Sequence, residues 1–273
     1  MPKMAIRILI GSCLVAVLGL VAWLDLAVFD KPIASRVLIW VMAMLAFHEV
    51  VTIAGRRVEC YPGLGLFGAV AIGAVSLPAV LWQAQVQPEL ILLAGMVAAG
   101  IRFLGMAPLR SSVTAFPEAI ILFAGVLYTA GALAFLDRIV VTQGVAMAFA
   151  VVAVSKSSDI CGYFIGTLIG RHRIAPAVSP KKTWEGTVAA VLGSGGMAVL
   201  LREYLEQDVY HALGIGLIIG AASFLGDLIE SGLKRWADTK DSSALLPEFG
   251  GFLDMLDGVL IAAPVAVVCL IGS

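Results

Sequence analysis

Long apolar stretches, each sized to cross a membrane, recur along the whole of this chain. A transmembrane helix needs about 20 consecutive, predominantly apolar residues to cross the hydrocarbon core of a bilayer. Nine such stretches are present, separated by short segments that are polar or contain Pro and Gly. They lie at about residues 8–28, 37–55, 64–82, 89–107, 117–136, 140–155 (continuing toward 169), 184–201, 209–229 and 256–272. The sequence therefore predicts an all-α, polytopic membrane protein with about nine transmembrane helices.

The composition excludes a soluble globular domain. Of the 273 residues, 60% are hydrophobic and only 14% are charged, whereas soluble domains carry about 25% charged residues. The formal net charge of -1 offers no basis for binding nucleic acid. Four scattered cysteines lack metal-binding spacing, and we interpret them as small apolar residues.

The distribution of basic residues predicts the orientation of the chain in the membrane. Lys and Arg are concentrated in the cytoplasmic loops of membrane proteins. With the N-terminus inside and the C-terminus outside, 12 of the 18 basic residues fall in inner segments, 4 in outer segments and 2 within spans. Eight or ten spans would invert half of the loops and remove this bias. We therefore predict an N-in/C-out arrangement.

Polar residues suited to chemistry are concentrated in the second half of the chain. We predict that residues 1–138 form N-terminal transmembrane helices and that residues 139–273 form a C-terminal transmembrane catalytic region. In the N-terminal part, His48 and Glu49 stand out near the inner end of the second span. Ionisable groups within a span are functional candidates. A helix-end pair that reaches to the membrane interface is an equally good interpretation.

Asp159 follows Lys156 in a polar run that interrupts an apolar stretch. An unpaired carboxylate at membrane depth costs roughly 3 kcal/mol or more, so Asp159 must face protein, water or a cation. One interpretation is an ion pair with Lys156, one turn earlier in the helix. The other is a place in a functional site.

The segment Ser-Pro-Lys-Lys-Thr-Trp-Glu-Gly, which begins at Ser179, indicates a helix start beside two lysines. Ser179 followed by Pro180 is typical of an N-cap and a first helical residue. The free N–H groups of a helix start, together with Lys181 and Lys182, suit a phosphate chain. Anchoring at the inner leaflet by the lysines and Trp184 is the alternative interpretation.

Polar residues lie along one side of the helix that continues from the eighth span into the next loop. Offsets of 0, 3, 4, 7 and 11 residues place them on one side of a helix. These residues are Asp227, Glu230, Ser231, Lys234 and Asp238. Routine ion pairs in a solvated loop would explain the later charges, but not Asp227, which directly follows an apolar run.

Two further aspartates stand at the start of the ninth span. Asp254 and Asp257 share a helical face by their i,i+3 spacing, and both are on the same predicted cytoplasmic side as Asp227. Mg²⁺ prefers a few carboxylates together with water and substrate phosphates. These residues therefore predict metal-assisted phosphoryl or nucleotidyl transfer at the inner membrane surface. The sequence contains no P-loop, HExxH or GxSxG motif.

Three blocks of residues carry a family resemblance. The first joins Ser158-Asp159 to Tyr163-Phe164-Ile165-Gly166, and the second is Ser179-Pro180-Lys181-Lys182-Thr183-Trp184-Glu185-Gly186. The third runs from Gly226-Asp227-Leu228-Ile229-Glu230-Ser231 through Lys234-Arg235 and Lys240-Asp241 to Gly250-Gly251-Phe252-Leu253-Asp254. Over residues 155–258 the chain resembles the phosphatidate cytidylyltransferases, also called CDP-diglyceride synthetases.

The resemblance implies a reaction between CTP and phosphatidic acid that yields CDP-diacylglycerol and pyrophosphate in phospholipid biosynthesis. It also implies Mg²⁺ as cofactor and a helical protein embedded in the lipid bilayer. We expect the bacterial inner (plasma) membrane, with the active site on the cytoplasmic side. A homodimer is one oligomeric state that the sequence leaves open.

The resemblance also implies roles for matching residues. The metal ligands would be Asp227, Asp254 and Asp257, with Asp227 and Asp254 preferred. The catalytic residues would be Asp227, Lys234, Arg235, Asp241 and Asp254. The substrate-binding residues would be Asp159, Ser179, Lys181, Lys182, Thr183, Ser231, Lys240, Gly250 and Gly251. In this scheme Lys181 and Lys182 bind triphosphate or lipid phosphate, and Lys234 and Arg235 stabilise the developing pyrophosphate.

The chain departs from the family's pattern at two places. It has Pro247-Glu248-Phe249-Gly250-Gly251 where the family usually has Pro-Gly-His-Gly-Gly, and Asp254-Met255-Leu256-Asp257 where the family usually has Asp-Arg-x-Asp. A titratable His and a phosphate-binding Arg are therefore absent, whereas both aspartates and both glycines remain. We interpret the chain as a divergent branch, with the identity of the lipid acceptor open.

Other functions from two classes, lipid-modifying enzymes and transporters, fit part of the sequence. A CTP-dependent lipid kinase or an ether-lipid cytidylyltransferase would share the membrane setting and the nucleotide but differ in the acceptor. An ion-coupled membrane transporter would line its path with Asp159, Asp227 and Asp254. Transporters often contain inverted repeats with charges near the bilayer midplane, whereas the charges here gather at one predicted face.

Overall fold

The computed structural model describes residues 3–58, 60, 63–106, 112–243 and 250–271. Helices dominate, because backbone in a bilayer must satisfy its own hydrogen bonds. They are α1 (Lys3–Leu24), α2 (Ile33–Ala54), α3 (Leu64–Leu81), α4 (Pro88–Met106), α5 (Ser112–Val126), α6 (Ala132–Gln143), α7 (Val145–Ile169), α8 (Trp184–Leu200), α9 (Val209–Trp236) and α10 (Phe252–Ile271). A π-helical turn follows α1 at Asp25–Phe29 and another follows α5 at Leu127–Gly131. Two antiparallel strands, β1 (Arg173–Ala175) and β2 (Ser179–Thr183), join α7 to α8.

Each predicted apolar stretch overlaps a helix, and seven helical segments of the described chain are long and apolar enough to cross a membrane. One of them, Ala115–Gln143, runs through α5, the π-turn and α6. The sixth stretch begins later than predicted, because Gly144 (φ 95°) separates α6 from α7. The chain is thus a helical integral membrane protein. The count of nine crossings and the N-in/C-out orientation stay predictions.

The chain divides into two compact units. The first comprises Met1–Val141 with Ala237–Met255, and the second comprises Thr142–Trp236 with Leu256–Ser273. The segment before α10 is therefore grouped with the N-terminal helices by its packing. The predicted boundary between residues 138 and 139, which separates N-terminal helices from a catalytic region, is a division by function and not by packing. It stays a prediction.

A buried ion pair organises the first unit. Arg36 of α2 and Asp137 of α6 have fully buried side chains, and Arg36 Nε donates to Asp137 Oδ1 at 2.7 Å. A second guanidinium nitrogen donates to the carbonyl oxygen of Ala84 at 2.6 Å. Asp25 accepts a hydrogen bond from the backbone N–H of Ala34 and so caps the start of α2. These charges tolerate burial because Arg36 and Asp137 are paired with each other and the Asp25 carboxylate accepts hydrogen bonds from backbone N–H groups.

Small residues allow the helices of the second unit to approach closely. A methyl group on Gly220 of α9 would overlap the side chain of Ser194 of α8. Between α7 and α9, the Ser155 hydroxyl donates to the Ser223 hydroxyl oxygen at 2.9 Å. Close backbone approach and hydrogen bonds between helices are typical of helix association in membranes.

The helix start predicted at Ser179 and Pro180 is wrong. Residues Ser179–Thr183 form β2 and pair with β1. Helix α8 begins only at Trp184, and the hydroxyl oxygen of its N-cap, Thr183, accepts a hydrogen bond from the Gly186 N–H at 3.2 Å. Pairing with β1 therefore overrides the local Ser-Pro signal, and the cap moves to the next suitable side chain.

Helix α9 begins with a cap and ends before the last residue of its predicted polar face. Asp208 precedes the helix, and hydrogen bonds from the backbone N–H and the ring of His211 lower the pKa of its carboxyl group. Asp238 lies beyond Trp236 in a left-handed conformation (φ 52°) and pairs with Arg57. The placement of Asp238 on the helical face is therefore wrong, because the helix has already ended.

Candidate active site

Three carboxylates of the second unit come together. Asp227 and Glu230 lie one turn apart on α9, and Asp257 lies on α10. One oxygen from each carboxylate lies within 4.8 Å of the others. Glu230 and Asp257 are buried, whereas the side chain of Asp227 remains 30% exposed. Among the residues that the structure describes, no other group of three potential metal ligands comes this close.

Two glycines explain how carboxylates from different helices meet. A methyl group on Gly226 would overlap the backbone carbonyl of Asp257, and one on Gly258 would overlap the side chain of Ser223. The backbones of α9 and α10 therefore touch at a crossing that a Cβ atom would block. Since Gly226 precedes Asp227 and Gly258 follows Asp257, the crossing places the two aspartates beside each other.

Two lysines from different elements each contact one carboxylate of the cluster. Lys182 of β2 places its Nζ 2.7 Å from Asp227 Oδ2 and 4.8 Å from the ring centroid of Phe224. Lys234, one turn after Glu230 on α9, places its Nζ 2.6 Å from Glu230 Oε2. The ribbon formed by β1 and β2 and the helix α9 thus each bring one positive charge to an acidic residue of α9.

A third lysine reaches the cluster from α7. Lys156 Nζ lies 2.7 Å from Asp159 Oδ2 and 3.2 Å from Asp257 Oδ1. The ion pair that the sequence suggested for Asp159 is therefore present, and Lys156 also contacts a member of the carboxylate cluster. The two interpretations of Asp159 are compatible, because the pair itself belongs to the site.

The donor set of the cluster fits Mg²⁺. Asp227, Glu230 and Asp257 offer hard carboxylate oxygens, which are the protein ligands that Mg²⁺ takes alongside water and substrate phosphates. The lysines beside them provide compact positive charges of the kind that bind phosphate. The arrangement is chemically suited to bring a cation and a phosphorylated substrate together.

Asp254 is held within the first unit. Its Oδ2 accepts hydrogen bonds from the Gly251 N–H at 2.7 Å and from the Ser242 hydroxyl at 2.6 Å. The contact with Gly251 is that of a third helical residue reaching back to an N-cap, here at the start of α10. Asp254 is not one of the three clustered carboxylates, and its assignment to the metal stays a prediction.

Glu49 of α2 caps the same helix start. Its carboxylate is buried and accepts hydrogen bonds from the N–H groups of Phe252 and Leu253 at 3.1 and 2.8 Å. The Ser243 hydroxyl donates to it at 2.7 Å, and the oxygen of the Ser242 hydroxyl, which donates to Asp254, lies 3.0 Å from it. A carboxylate is favoured here because a helix N-terminus carries free N–H groups and partial positive charge. Glu49 thus has a structural role at the start of α10.

Gly250 and Gly251 pack tightly beside these two acids. Gly250 has a φ of 87°, which favours glycine, and a methyl group there would overlap the Asp254 carboxylate. A methyl group on Gly251 would overlap both Ser242 and Glu49. Their substrate-binding roles stay predictions. Pro247, Glu248 and Phe249 lie outside the described residues.

The other predicted site residues occupy varied positions. The Ser231 hydroxyl donates to Asp227 Oδ1 at 3.3 Å, and Arg235 Nε donates to the Val178 carbonyl at 3.3 Å. Thr183 is the cap of α8. Exposed positions are occupied by Lys181, Lys240 and Asp241, and Ser179 is half-buried. The structure brings Ser231 to the clustered acids. The roles predicted for all of these residues stay predictions.

Sequence reasoning left two members of the site unassigned. Glu230 carried a signal in its i,i+3 spacing from Asp227. Lys156 carried one in its position as a charge within an apolar stretch. Neither signal identifies the partner, because the contact with Asp257 depends on how α7, α9 and α10 pack.

Comparisons with known proteins agree with this geometry. A sequence profile of the cytidylyltransferase family matches residues 5–271. The chain is 38% identical over 135 residues to a phosphatidate cytidylyltransferase of Chlamydia muridarum, covering 47% of this chain but only 44% of the relative. It is 27% identical over 265 residues to a phosphatidate cytidylyltransferase of Staphylococcus aureus strain COL, covering 95% of this chain and 98% of the relative. The resemblance predicted from the sequence blocks is confirmed, and this chain belongs to the cytidylyltransferase family.

Proposed function

We propose that this protein joins CTP and phosphatidic acid to give CDP-diacylglycerol and pyrophosphate. The observation that carries the proposal is the meeting of Asp227, Glu230 and Asp257 with Lys182 and Lys156 beside them. Such a site suits two phosphorylated substrates, and the related proteins bear the name of this activity.

The reaction requires two anions to meet. An oxygen of the lipid phosphate attacks the α-phosphorus of CTP and forms a new P–O bond. The bond from that phosphorus to the oxygen bridging to the β-phosphate breaks, and pyrophosphate leaves with the electron pair. Positioning and charge neutralisation supply most of the catalysis in such transfers.

The chain's own residues have distinct parts in this proposal. Asp227, Glu230 and Asp257 would hold Mg²⁺, and Asp254 stays a predicted further ligand. When bound, the cation would neutralise phosphate charge and favour departure of pyrophosphate. Lys182 would exchange its contact with Asp227 for a substrate phosphate, and Lys234 would stabilise the leaving group.

The cellular setting is part of the proposal. We place the protein in the bacterial inner membrane with the site on the cytoplasmic side, because an N-in arrangement puts most basic residues there. The count of nine crossings also stays a prediction, and a homodimer stays one oligomeric state that is left open.

A purified sample in detergent micelles tests the function. CTP labelled at the α-phosphate is incubated with phosphatidate, with and without Mg²⁺, and the label is followed into lipid. We expect α-label in the lipid product and its loss when Mg²⁺ is chelated. Transfer of the γ-phosphate would favour the kinase alternative. If the protein converts no CTP in micelles, which have no sealed compartment, the transporter alternative would be favoured.

A pair of variants links the activity to the site. Asp227→Asn should abolish turnover and leave folding intact, because the amide loses the charge needed to hold a cation. Asp208→Asn is the matched control, since its side chain caps α9 away from the cluster and Asn is an equally good cap. Wild-type turnover by Asp227→Asn would remove the metal assignment.

A further inference from the structure

We propose that Lys156 is a positioning residue for the metal site: it bridges Asp159 and Asp257 and so orients the Asp257 carboxylate toward Asp227 and Glu230. This inference rests on the proposed function for the identity of the reaction, but its geometry stands on the second unit alone. Lys156 belongs to α7, whereas the acids it serves lie on α9 and α10.

The contacts of Asp257 are unequal at its two oxygens. Oδ1 accepts a hydrogen bond from the Gly258 N–H at 2.6 Å and one from Lys156 Nζ at 3.2 Å. Among the described residues, no partner is present at Oδ2. Two donors, one from the backbone of α10 and one from a side chain of α7, therefore hold Oδ1 in place and leave the other oxygen for a ligand.

Asp159 completes the arrangement. Its Oδ2 lies 2.7 Å from Lys156 Nζ, at the i,i+3 spacing along α7. A long lysine side chain has many rotamers, and the Asp159 contact selects the one that points at α10. Partners that orient a metal ligand in this way typically change metal affinity by about 10- to 100-fold when removed.

A rival explanation is that Lys156 only neutralises charge. Asp159, Asp227, Glu230 and Asp257 are four carboxylates, and Lys156 is one of three lysines that lie among them. Removing its positive charge alone would strengthen cation binding by simple electrostatics. Loss of orientation would weaken it. In a variant that keeps the net charge, neutralisation alone therefore predicts an unchanged Kd, whereas loss of orientation predicts a higher one.

The test measures Mn²⁺ binding by electron paramagnetic resonance on the full chain in detergent, without nucleotide or lipid. Mn²⁺ prefers the same carboxylate and water ligands as Mg²⁺. The double variant Lys156→Gln/Asp159→Asn removes one charge of each sign. It also avoids leaving the partly exposed Asp159 carboxylate without the lysine that it pairs with, and Asp257 keeps its hydrogen bond from the Gly258 N–H. We expect its Kd for Mn²⁺ to rise about 10- to 100-fold, with a thermal unfolding midpoint close to wild type.

A double-mutant cycle shows whether Lys156 acts through Asp257. We expect Lys156→Gln to have no further effect on the Kd in the Asp257→Asn background, because the carboxylate that it orients is already gone. A wild-type Kd in the charge-matched double variant would overturn the proposal. So would an undiminished effect of Lys156→Gln in the Asp257→Asn background, or Mn²⁺ binding that Asp227→Asn leaves unchanged.

The outcome is separable from that of the proposed function. Mn²⁺ binding that depends on Lys156, in a protein that does not convert CTP and phosphatidate, would overturn the function and support the inference. Normal conversion of CTP and phosphatidate by the wild-type protein, together with an unchanged Kd for Mn²⁺ in the charge-matched variant, would support the proposed function and overturn the inference about Lys156.

Discussion

The Cα of Gly226 in α9 packs against the backbone carbonyl of Asp257 in α10, with no room for a methyl group between them. This contact joins the two helices at the level of the carboxylate cluster. It couples a packing requirement to the chemistry, because any separation of the helices also separates Asp227 from Asp257.

Gly226→Ala should therefore remove most of the activity and lower the thermal unfolding midpoint. Overpacking of this kind costs about 1–3 kcal/mol, since backbone cannot move aside like a flexible side chain. Gly214→Ala is the control on the same helix, because open space surrounds that position. Ala favours the helix over Gly by up to about 1 kcal/mol, so this control should be neutral or slightly stabilising. Equal activity in the two variants would contradict the proposed crossing.

Lys181→Ala and Lys182→Ala should have different kinetic effects. Lys181 is exposed and lies on the ribbon, whereas Lys182 is paired with Asp227. We expect Lys181→Ala to raise the KM for an anionic substrate with little change in kcat. Lys182→Ala should lower kcat as well, because Asp227 loses its partner. Steady-state kinetics with CTP and phosphatidate in micelles distinguishes them, and unchanged constants in both variants would favour membrane anchoring by these lysines.

Thr183→Ala should destabilise the start of α8 by about 1 kcal/mol, the usual effect of removing an N-cap hydroxyl. Thr183→Ser keeps the oxygen that accepts from Gly186 and should remain close to wild type. Denaturant unfolding in detergent compares the two variants. If Ser destabilises as much as Ala, packing of the threonine methyl group rather than the cap would be the stabilising contact.

Glu49→Gln should destabilise the first unit by about 1–3 kcal/mol, because an amide group replaces one of the oxygens that face backbone and hydroxyl donors. Glu203→Gln provides the comparison, since Glu203 is exposed beyond α8. Thermal unfolding monitored by tryptophan fluorescence measures both effects. A Glu49→Gln midpoint equal to that of Glu203→Gln would contradict the capping role.

Helix positions were largely predictable because apolar run length is a local property. The stretch at 64–82 corresponds to α3, Leu64–Leu81, and the stretch beginning at residue 209 starts α9 at Val209. The N-cap of α8 was predicted at Ser179 but lies at Thr183, because β-pairing with Arg173–Ala175 is absent from any local pattern. The same limit applies to Asp238, whose helical spacing continues after the helix has ended.

One part of the candidate site could be predicted from residue spacing, and the other part depends on how the helices pack. Helical periodicity places Asp227, Glu230 and Lys234 on one face of α9, and the structure confirms the contacts that this implies. The capping role of Glu49 could not be predicted, because its partners lie 203 and 204 residues further along the chain.

The apolar stretches of the chain alone determine that it is a helical membrane protein, and the spacing of the polar residues alone points to metal-assisted phosphoryl or nucleotidyl transfer, since both depend on neighbours in sequence. Only tertiary structure decides that Asp257 meets Asp227 and that Lys156 reaches both Asp159 and Asp257. These meetings depend on glycine-permitted helix crossings, whose partners are separated by many residues and cannot be paired by any local rule.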